Sequence, residues 1–287
     1  MPRRFHQLDV FSAVPLKGNP LAVVHAAQGL TDARMAAFAQ WTNLSETTFL
    51  LPPTQPGADY RVRIWTPGGE LPFAGHPTLG SCHAWLAAGG VPQQPDVVVQ
   101  ECGVGLLRLR RSGGRQGSSE QASGRLSFAA PPLRRSGPLE ADLLALIVQG
   151  LGVAAADVLH HQWVDNGPGW CAVMLRSAAQ VLAMQPDWGV LGALKLGLVG
   201  AQAAGADTAF EVRAFAPGLG AREDPVTGSL NAGLAQWLIA AGLAPSAYVA
   251  AQGAALGRAG RVFVEQSGAD IWIGGDVVSC IEGTVDL

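Results

Sequence analysis

The sequence predicts an α+β chain of two similar halves, each with a central helix buried against a curved sheet. The main observation is an internal repeat: the pattern YxVRxWxPG at residues 60–68 returns 150 positions later as FxVRxFxPG at residues 210–218. Each copy alternates like a strand, turns at Pro-Gly and continues into a helix rich in small residues. A length of 287 residues also suits two domains of ordinary size.

Small side chains are frequent in both predicted central helices. The first helix carries Gly80, Ser81, Cys82 and Ala84, and the second carries Gly228, Ser229, Ala232, Gly233 and Ala235. Glycine inside a helix costs about 1 kcal/mol relative to alanine, so close packing has to offset it. A helix that is apolar on nearly every side is a buried helix. We therefore expect both helices to lie inside curved sheets or barrels.

The remaining elements follow from alternation, turn residues and caps. In the first half a helix capped by Thr31 or Asp32 accompanies strands at residues 8–11, 21–25, 47–51, 60–65, 97–99, 106–110 and 126–129. In the second half, helices at 140–149 and 227–241 accompany strands at 161–164, 170–175, 210–215, 261–265 and 270–273. We expect domains at residues 1–130 and 131–276. Whether residues 277–287 return to complete the first domain is left open by the sequence.

Composition excludes several classes of function. Hydrophobic residues make up 48% of the chain and the net charge is −3, so we expect no nucleic-acid partner. No apolar run approaches the roughly 20 residues that span a bilayer, so we expect no membrane partner. The four cysteines lack CxxC spacing and no HExxH pattern occurs, which argues against a metal site. Reduced thiols and a cytoplasmic location are the expectation.

Both central helices begin beside polar residues, which predicts a site for a small carboxylate-bearing molecule. The first helix opens at residues 75–78, GHPT, and the second follows residues 224–227, DPVT. Buried helix starts present N–H groups and a partial positive charge, and both favour a carboxylate. We expect Gly228 and Ser229 to form that cradle, and Gly75 to allow close approach of the backbone.

Asp224 and His76 each have a plainer interpretation. Asp224 can be only a helix N-cap with Pro225 at the first helical position, although Gly75, a poorer cap, occupies the matching place in the repeat. A single histidine is more often structural than catalytic. His76, however, precedes a proline at a buried helix entrance, where a neutral imidazole can exchange hydrogen bonds with a substrate.

Glu46 is the sharpest catalytic candidate. Its alternative interpretation is a capping box with Asn43, but that needs a helix to follow, and residues 47–50, TTFL, favour a strand. Burial of a lone carboxyl group raises its pKa, which suits transfer of a proton near neutral pH. The equivalent position in the second half is Leu196, so we expect one acid–base group rather than a symmetric pair.

Six segments spread over the chain form a recognisable set: DVF at 9–11, GNPLAVV at 18–24, NLSET at 43–47, ELPFAGHPTLG at 70–80, APG at 216–218 and EDPVTGS at 223–229. They follow the order found in the PhzF family of phenazine biosynthesis-like proteins, so the chain resembles that family over almost its whole length. The resemblance implies a diaminopimelate epimerase-like fold of two pseudo-symmetric domains, with the site between them.

The resemblance also implies an activity. Members are commonly homodimers without a cofactor, and the best-understood one isomerises trans-2,3-dihydro-3-hydroxyanthranilate by moving a proton between ring carbons. By motif position the family's functional groups fall on residues of both halves: the proton shuttle on Glu46, substrate-contacting polar groups on His76, Asp224 and Ser229, and backbone contacts on Gly75 and Gly228.

Two alternatives to this activity stay open. Related epimerases use two facing cysteines at the helix entrances, where this chain has Gly75 and Asp224, so racemisation by two thiols is disfavoured. An amino-acid epimerase with non-thiol bases is the alternative enzyme. A non-catalytic, protein-binding member of the family is the alternative of another class, although the presence of Glu46, His76 and Asp224 together argues against it.

Overall fold

The computed structural model describes residues 2–112, 124–217 and 222–287, so Gly218 of the second repeat lies outside the described residues. The chain divides into two compact units. Unit 1 comprises Met1–Ala129 together with Trp272–Leu287, and unit 2 comprises Ala130–Ile271. In each unit, parallel and antiparallel strand pairs accompany a small number of helices, as the predicted α+β class requires.

The elements of unit 1 come first in the chain. They are β1 (Pro2–Val10), β2 (Asn19–Val24), α1 (Asp32–Thr42), β3 (Glu46–Leu51), β4 (Tyr60–Thr66), β5 (Gly69–Leu71), α2 (Gly75–Ala87), β6 (Val97–Cys102), β7 (Gly105–Ser112) and β8 (Arg125–Ala129). Strand β2 pairs antiparallel with β1 and parallel with β3, which in turn pairs antiparallel with β4. Helix α2 packs against β1, β2, β3 and β8, which makes it the central helix of this unit.

Unit 2 follows the same plan. Its elements are α3 (Ala141–Leu151), β9 (Val158–Trp163), β10 (Cys171–Leu175), α4 (Ala178–Ala183), α5 (Trp188–Leu191), β11 (Leu196–Ala201), β12 (Phe210–Phe215), β13 (Glu223–Asp224), α6 (Gly228–Ala240), β14 (Ala247–Gln252), β15 (Gly260–Ser267) and the first residues of β16 (Asp270–Gly275). Strand β10 pairs parallel with β11, and β11 pairs antiparallel with β12.

The last strand of the chain belongs to the sheet of unit 1. Strand β17 (Val277–Asp286) pairs antiparallel with β1, from Pro2 opposite Asp286 to Val10 opposite Val277. The residues of β16 from Trp272 onward pair with β8 of the same unit. No helix among the residues that the structure describes is long and apolar enough to cross a membrane.

Strand register confirms the internal repeat at the level of single residues. In unit 1, Leu21 of β2 lies opposite Glu46 of β3. Adding 150 to both numbers gives Cys171 and Leu196, which lie opposite each other in β10 and β11 with the same parallel direction. The parallel pairs β4–β6 and β12–β14 repeat the relation, because Tyr60 opposite Gln100 corresponds to Phe210 opposite Ala250.

Close packing explains the small residues of the two central helices, as the sequence predicted. A Cβ added to Gly80 in α2 would lie 2.5 Å from Cδ2 of Leu21. A Cβ added to Gly233 in α6 would lie 2.3 Å from the carbonyl oxygen of Val164, an atom that can move only with its backbone. The glycines therefore let strands approach the helices more closely than any side chain would allow.

The structure also contains elements that the sequence patterns did not predict, among them α4, α5, β11 and β14. The segment LGLVGA of β11 was missed because glycine is a weak strand former. Gly200 is nevertheless required there, since a Cβ at this position would lie 2.4 Å from the carbonyl oxygen of Ser177. Tertiary packing thus overrides local propensity in this strand.

The contact at Gly233 leads to a stability prediction. Gly233→Ala should lower the free energy of unfolding by about 1–3 kcal/mol, the usual cost of overpacking. This should hold even though alanine favours a helix by about 1 kcal/mol over glycine. Urea denaturation measures the change, with Gly283→Ala in β17 as the control because nothing lies within 4 Å of a Cβ there. A Gly233→Ala protein at least as stable as the wild type would contradict the packing argument.

Candidate functional site

Glu46 lies where the sequence predicted, at the first position of an apolar strand. Helix α1 ends at Thr42, and Asn43 forms its C-cap in the left-handed conformation with φ of 53°. Strand β3 then begins at Glu46, so the capping-box interpretation of Asn43 and Glu46 is wrong and the strand interpretation is confirmed. The residue is 9% exposed, which makes Glu46 a buried carboxyl group rather than a solvated one.

His76 is the second residue of α2 and lies directly beside Glu46. Its Nε2 atom is 3.3 Å from Oε2 of Glu46, and its Nδ1 atom is 3.2 Å from Nδ2 of Asn19. The residue is 2% exposed, and this burial lowers the pKa of His76 from 6.5 to about 3. The imidazole is therefore neutral at physiological pH and carries a single N–H group.

Gly75 is the first residue of α2, at a buried helix start. The N-cap residue is Ala74, whose side chain makes no capping hydrogen bond, and the third helical residue is Pro77, which has no N–H. Helix geometry leaves the N–H groups of Gly75 and His76 without an intrahelical acceptor. Because both residues are buried, these donors and the positive end of the helix dipole are available to an anion in a desolvated setting.

The corresponding helix of unit 2 begins at Gly228, with Thr227 as its N-cap. Asp224 lies on β13, four residues before the helix, so the N-cap interpretation of Asp224 is wrong. The Thr227 hydroxyl does not cap the helix; it donates a hydrogen bond to Oδ2 of Asp224 over 2.5 Å. Gly228 and Ser229 are buried at this helix start, as Gly75 and His76 are at the other.

A buried ion pair holds the strand that carries Asp224. Arg213 donates from Nε and Nη2 to the two carboxylate oxygens of Glu223, at 2.9 and 2.7 Å. Strand β13 also pairs with β12, which sets Asp224 opposite Ala214. A bidentate contact of this kind fixes both distance and orientation, so it holds the backbone at Asp224 in place.

Several polar residues around the start of α6 were not predicted from the sequence. The side-chain oxygen of Gln252 accepts from the Thr227 N–H at 3.0 Å and from Asn231 at 2.8 Å, while its nitrogen donates to the Asp224 carbonyl. Gln252 ends β14, a strand that the patterns missed, so no sequence signal connected it to Thr227. It orders the helix entrance by satisfying buried groups on both sides.

Ser229 is held by two further residues that the sequence did not single out. The indole N–H of Trp170 donates to its hydroxyl oxygen at 3.0 Å, and the Asn166 amide donates to its carbonyl oxygen at 2.8 Å. A hydroxyl oxygen that accepts from Trp170 still has its own O–H to donate. The sequence patterns predicted only that a strand begins at Trp170 and gave no role to Asn166.

Comparison with known proteins gives a match over most of the chain. The sequence profile of the phenazine biosynthesis-like proteins, PhzC-PhzF, matches residues 8–283. A relative from Schizosaccharomyces pombe named antisense-enhancing sequence 1 is 33% identical, with 97% of each chain covered. The trans-2,3-dihydro-3-hydroxyanthranilate isomerase of Pseudomonas aeruginosa is 34% identical, with 97% of this chain and 94% of the relative covered.

Solved structures agree with the predicted fold class. A PhzF family protein from Bacillus anthracis is similar over the full length of both chains, with a TM-score of 0.80 at 22% identity. A probable proline racemase from Agrobacterium radiobacter K84 is similar over 99% of this chain and 93% of its own, with a TM-score of 0.64 at 15% identity. Similarity at these identities shows the fold, and the epimerase-like α+β class is thereby confirmed.

The buried histidine leads to a prediction about pH. Because the pKa of His76 falls from 6.5 to about 3 on folding, the unfolded chain binds a proton below pH 6.5 that the folded protein excludes. His76 should therefore lower the free energy of unfolding as the pH falls below about 6.5, by at most about 1.4 kcal/mol per pH unit. Urea denaturation of the wild type and His76→Gln between pH 7.5 and 5 measures this contribution.

As the pH falls over that range, the free energy of unfolding should decrease more in the wild type than in His76→Gln. Comparing the two proteins removes the contributions of the shared titrating groups that do not contact His76. Parallel stability curves for the two proteins would show that His76 takes up its proton equally in the folded and unfolded states.

Proposed function

Since the chain belongs to the family of phenazine biosynthesis-like proteins, we propose that it is a cofactor-independent isomerase that moves a proton on a small carboxylate-bearing substrate. Relatives that cover nearly its whole length are named isomerases. The observation that carries the proposal is the buried carboxyl group of Glu46, 3.3 Å from a neutral imidazole. A buried carboxyl group in such a setting is suited to take up a proton and return it.

In the proposed reaction Glu46 acts first as a base and then as an acid. Its carboxylate removes a proton from one carbon of the substrate, and the electrons of the broken C–H bond shift into the conjugated system. The protonated Glu46 then delivers the proton to another carbon, so bonds and charges balance without any oxidation. His76, which its burial keeps neutral, lies beside Glu46 in both steps.

A single acid–base group fits the asymmetry of the repeat. The position of unit 2 that corresponds to Glu46 is Leu196, a buried apolar residue at the start of β11. An epimerase that inverts a stereocentre usually needs a base on one face of the substrate and an acid on the other. Proton relocation within one molecule needs only one group that serves both steps, which favours isomerisation over epimerisation.

The substrate carboxylate is assigned to the buried helix starts. We assign backbone contacts to the N–H groups at Gly75 and Gly228, and a hydrogen bond to the hydroxyl of Ser229. Each helix start favours an anion by about 0.3–1 kcal/mol at an exposed site, and by more where water is excluded. Asp224, which accepts from Thr227, is an acceptor for an amino or hydroxyl group of the substrate.

The first substrate to test is trans-2,3-dihydro-3-hydroxyanthranilate, the compound in the name of the Pseudomonas relatives. It combines a carboxylate with amino and hydroxyl groups, as the proposed contacts require. The family resemblance implies a homodimer and the cysteine pattern indicates a cytoplasmic location; both remain predictions. The second candidate is a protein-binding function without catalysis. The name of the Schizosaccharomyces relative describes no enzyme, which leaves this candidate in place.

Replacement of Glu46 tests the proposal. Glu46→Gln should lower kcat about 10²- to 10⁴-fold, because the amide cannot carry the proton, and should change KM much less. Glu211→Gln is the matched control, since Glu211 is also a buried glutamate, lies on β12, and contacts Gln202 outside the proposed site. In D2O the product of the wild type should contain deuterium unless the proton is fully sheltered from solvent.

A Glu46→Gln protein that keeps the wild-type rate would overturn the assignment of Glu46. Chiral separation of the product distinguishes the alternatives within the enzymes, because an amino-acid-type epimerase would yield the inverted stereoisomer. A folded wild-type protein that turns over no carboxylate substrate, and whose thermal unfolding no anthranilate-like or amino-acid carboxylate shifts, would favour the protein-binding function instead.

A further inference from the structure

Asn19 is a buried amide on the far side of His76 from Glu46. It is the first residue of β2 and has no exposed surface. Its Nδ2 atom lies 3.2 Å from Nδ1 of His76, and its Oδ1 atom accepts a hydrogen bond from the Ser45 hydroxyl at 3.3 Å. Three side chains therefore form a row through the interior of unit 1, in the order Asn19, His76 and Glu46.

The backbone around Asn19 is held by a buried carboxylate. Oδ2 of Asp9 accepts from the backbone N–H groups of Lys17 and Gly18, at 2.7 and 2.8 Å. Gly18 cannot be replaced easily, because an added Cβ would lie 2.1 Å from the carbonyl oxygen of Val10. These contacts fix the residue immediately before Asn19 and so place the amide against the imidazole.

The hydrogen bonds determine which ring nitrogen of His76 carries the proton. The Ser45 hydroxyl donates to the oxygen of the Asn19 amide, so the amide nitrogen points to the imidazole. An amide nitrogen only donates, which requires Nδ1 of His76 to accept. In a neutral imidazole the single hydrogen is then on Nε2, the atom 3.3 Å from Oε2 of Glu46. The opposite tautomer would set a lone pair against the Glu46 carboxylate.

We infer that Asn19 is a positioning residue that holds His76 in the Nε2–H tautomer, so that the ring nitrogen 3.3 Å from Oε2 of Glu46 carries a hydrogen rather than a lone pair. Its catalytic meaning rests on the proposed function, whereas the tautomer itself does not. Asn19 touches His76 rather than the reacting group, and Asp9 and Ser45 act through Asn19 in turn. A residue that orients a histidine in this way sets which hydrogen bond the other ring nitrogen makes.

Nitrogen NMR of the histidine side chains tests the inference directly. In the wild type, Nδ1 of His76 should be unprotonated and Nε2 protonated from pH 5 to 8, with the resonances assigned by their loss in His76→Gln. Asn19→Asp replaces the donating nitrogen by an accepting oxygen and should move the hydrogen to Nδ1. The matched control is Asn43→Asp, the same exchange at the C-cap of α1, which should leave the His76 resonances unchanged.

A wild-type spectrum with the hydrogen on Nδ1 would overturn the inference, so the test does not depend on the folding of Asn19→Asp. Unchanged His76 resonances in a folded Asn19→Asp protein would also overturn it. Ser45→Ala, which removes the hydroxyl that orients the amide, should give a mixture of both tautomers; a spectrum with the single wild-type tautomer would show that Ser45 does not orient Asn19.

Kinetics separate this inference from the proposed function. Asn19→Asp should lower kcat by roughly tenfold or more and change its pH profile, with a smaller effect on KM, because proton transfer by Glu46 is affected rather than binding. Full activity of Glu46→Gln together with the Nε2–H tautomer would remove the proposed function and leave the tautomer assignment. Loss of activity in Glu46→Gln with a wild-type pH profile and kcat in Asn19→Asp would remove only the positioning role.

Discussion

The burial of Glu46 against a neutral imidazole is the interaction on which the rest of the site depends. Desolvation keeps His76 uncharged, so it cannot neutralise Glu46 as a cation would and can only offer one hydrogen. The carboxyl group therefore lies beside an uncharged ring rather than beside a full opposite charge. In the proposed reaction this carboxyl group gains a proton from the substrate and then returns it.

The repeat gives both units the same framework, but the interaction between Glu46 and His76 occurs in unit 1 alone among the two equivalent positions. The two units share strand register at an offset of 150 residues, and both have a central helix that glycines bring close to its neighbours. Their chemistry nevertheless differs, because Glu46 in one unit corresponds to Leu196 in the other. Unit 1 contains the buried Glu46 beside His76, whereas unit 2 contains a helix start surrounded by neutral hydrogen-bonding groups and Asp224. A duplicated framework has thus acquired two different sets of polar residues.

Much of this arrangement could be predicted from the sequence because it depends on local patterns. A carboxylate before the β-branched run of residues 47–50 indicated a buried acid, and the sequence GHP indicated a helix start with a histidine. Both predictions depend only on residues that are neighbours in the sequence. The helix limits of α1 and α6 were also predictable to within one residue, since caps and glycines mark them locally.

Contacts between distant residues could not be predicted in this way. Asn19 and His76 are 57 positions apart, and only the pairing of β2 with its neighbours brings the amide to the helix start. Gln252 was missed because its strand reads as an alanine-rich segment, although it satisfies four polar groups at the start of α6. Asp224 was open to interpretation as a cap because aspartate is among the preferred N-cap residues and Pro225 follows it.

The most direct test of the account is a crystal structure of the protein with bound anthranilate, an aromatic carboxylate that cannot be turned over. The account predicts that the anthranilate carboxylate accepts hydrogen bonds from backbone N–H groups at the start of α2, and that a carboxyl oxygen of Glu46 lies within about 3.5 Å of a ring carbon. Anthranilate bound elsewhere on the protein, or bound there with Glu46 directed away from the ring, would contradict it.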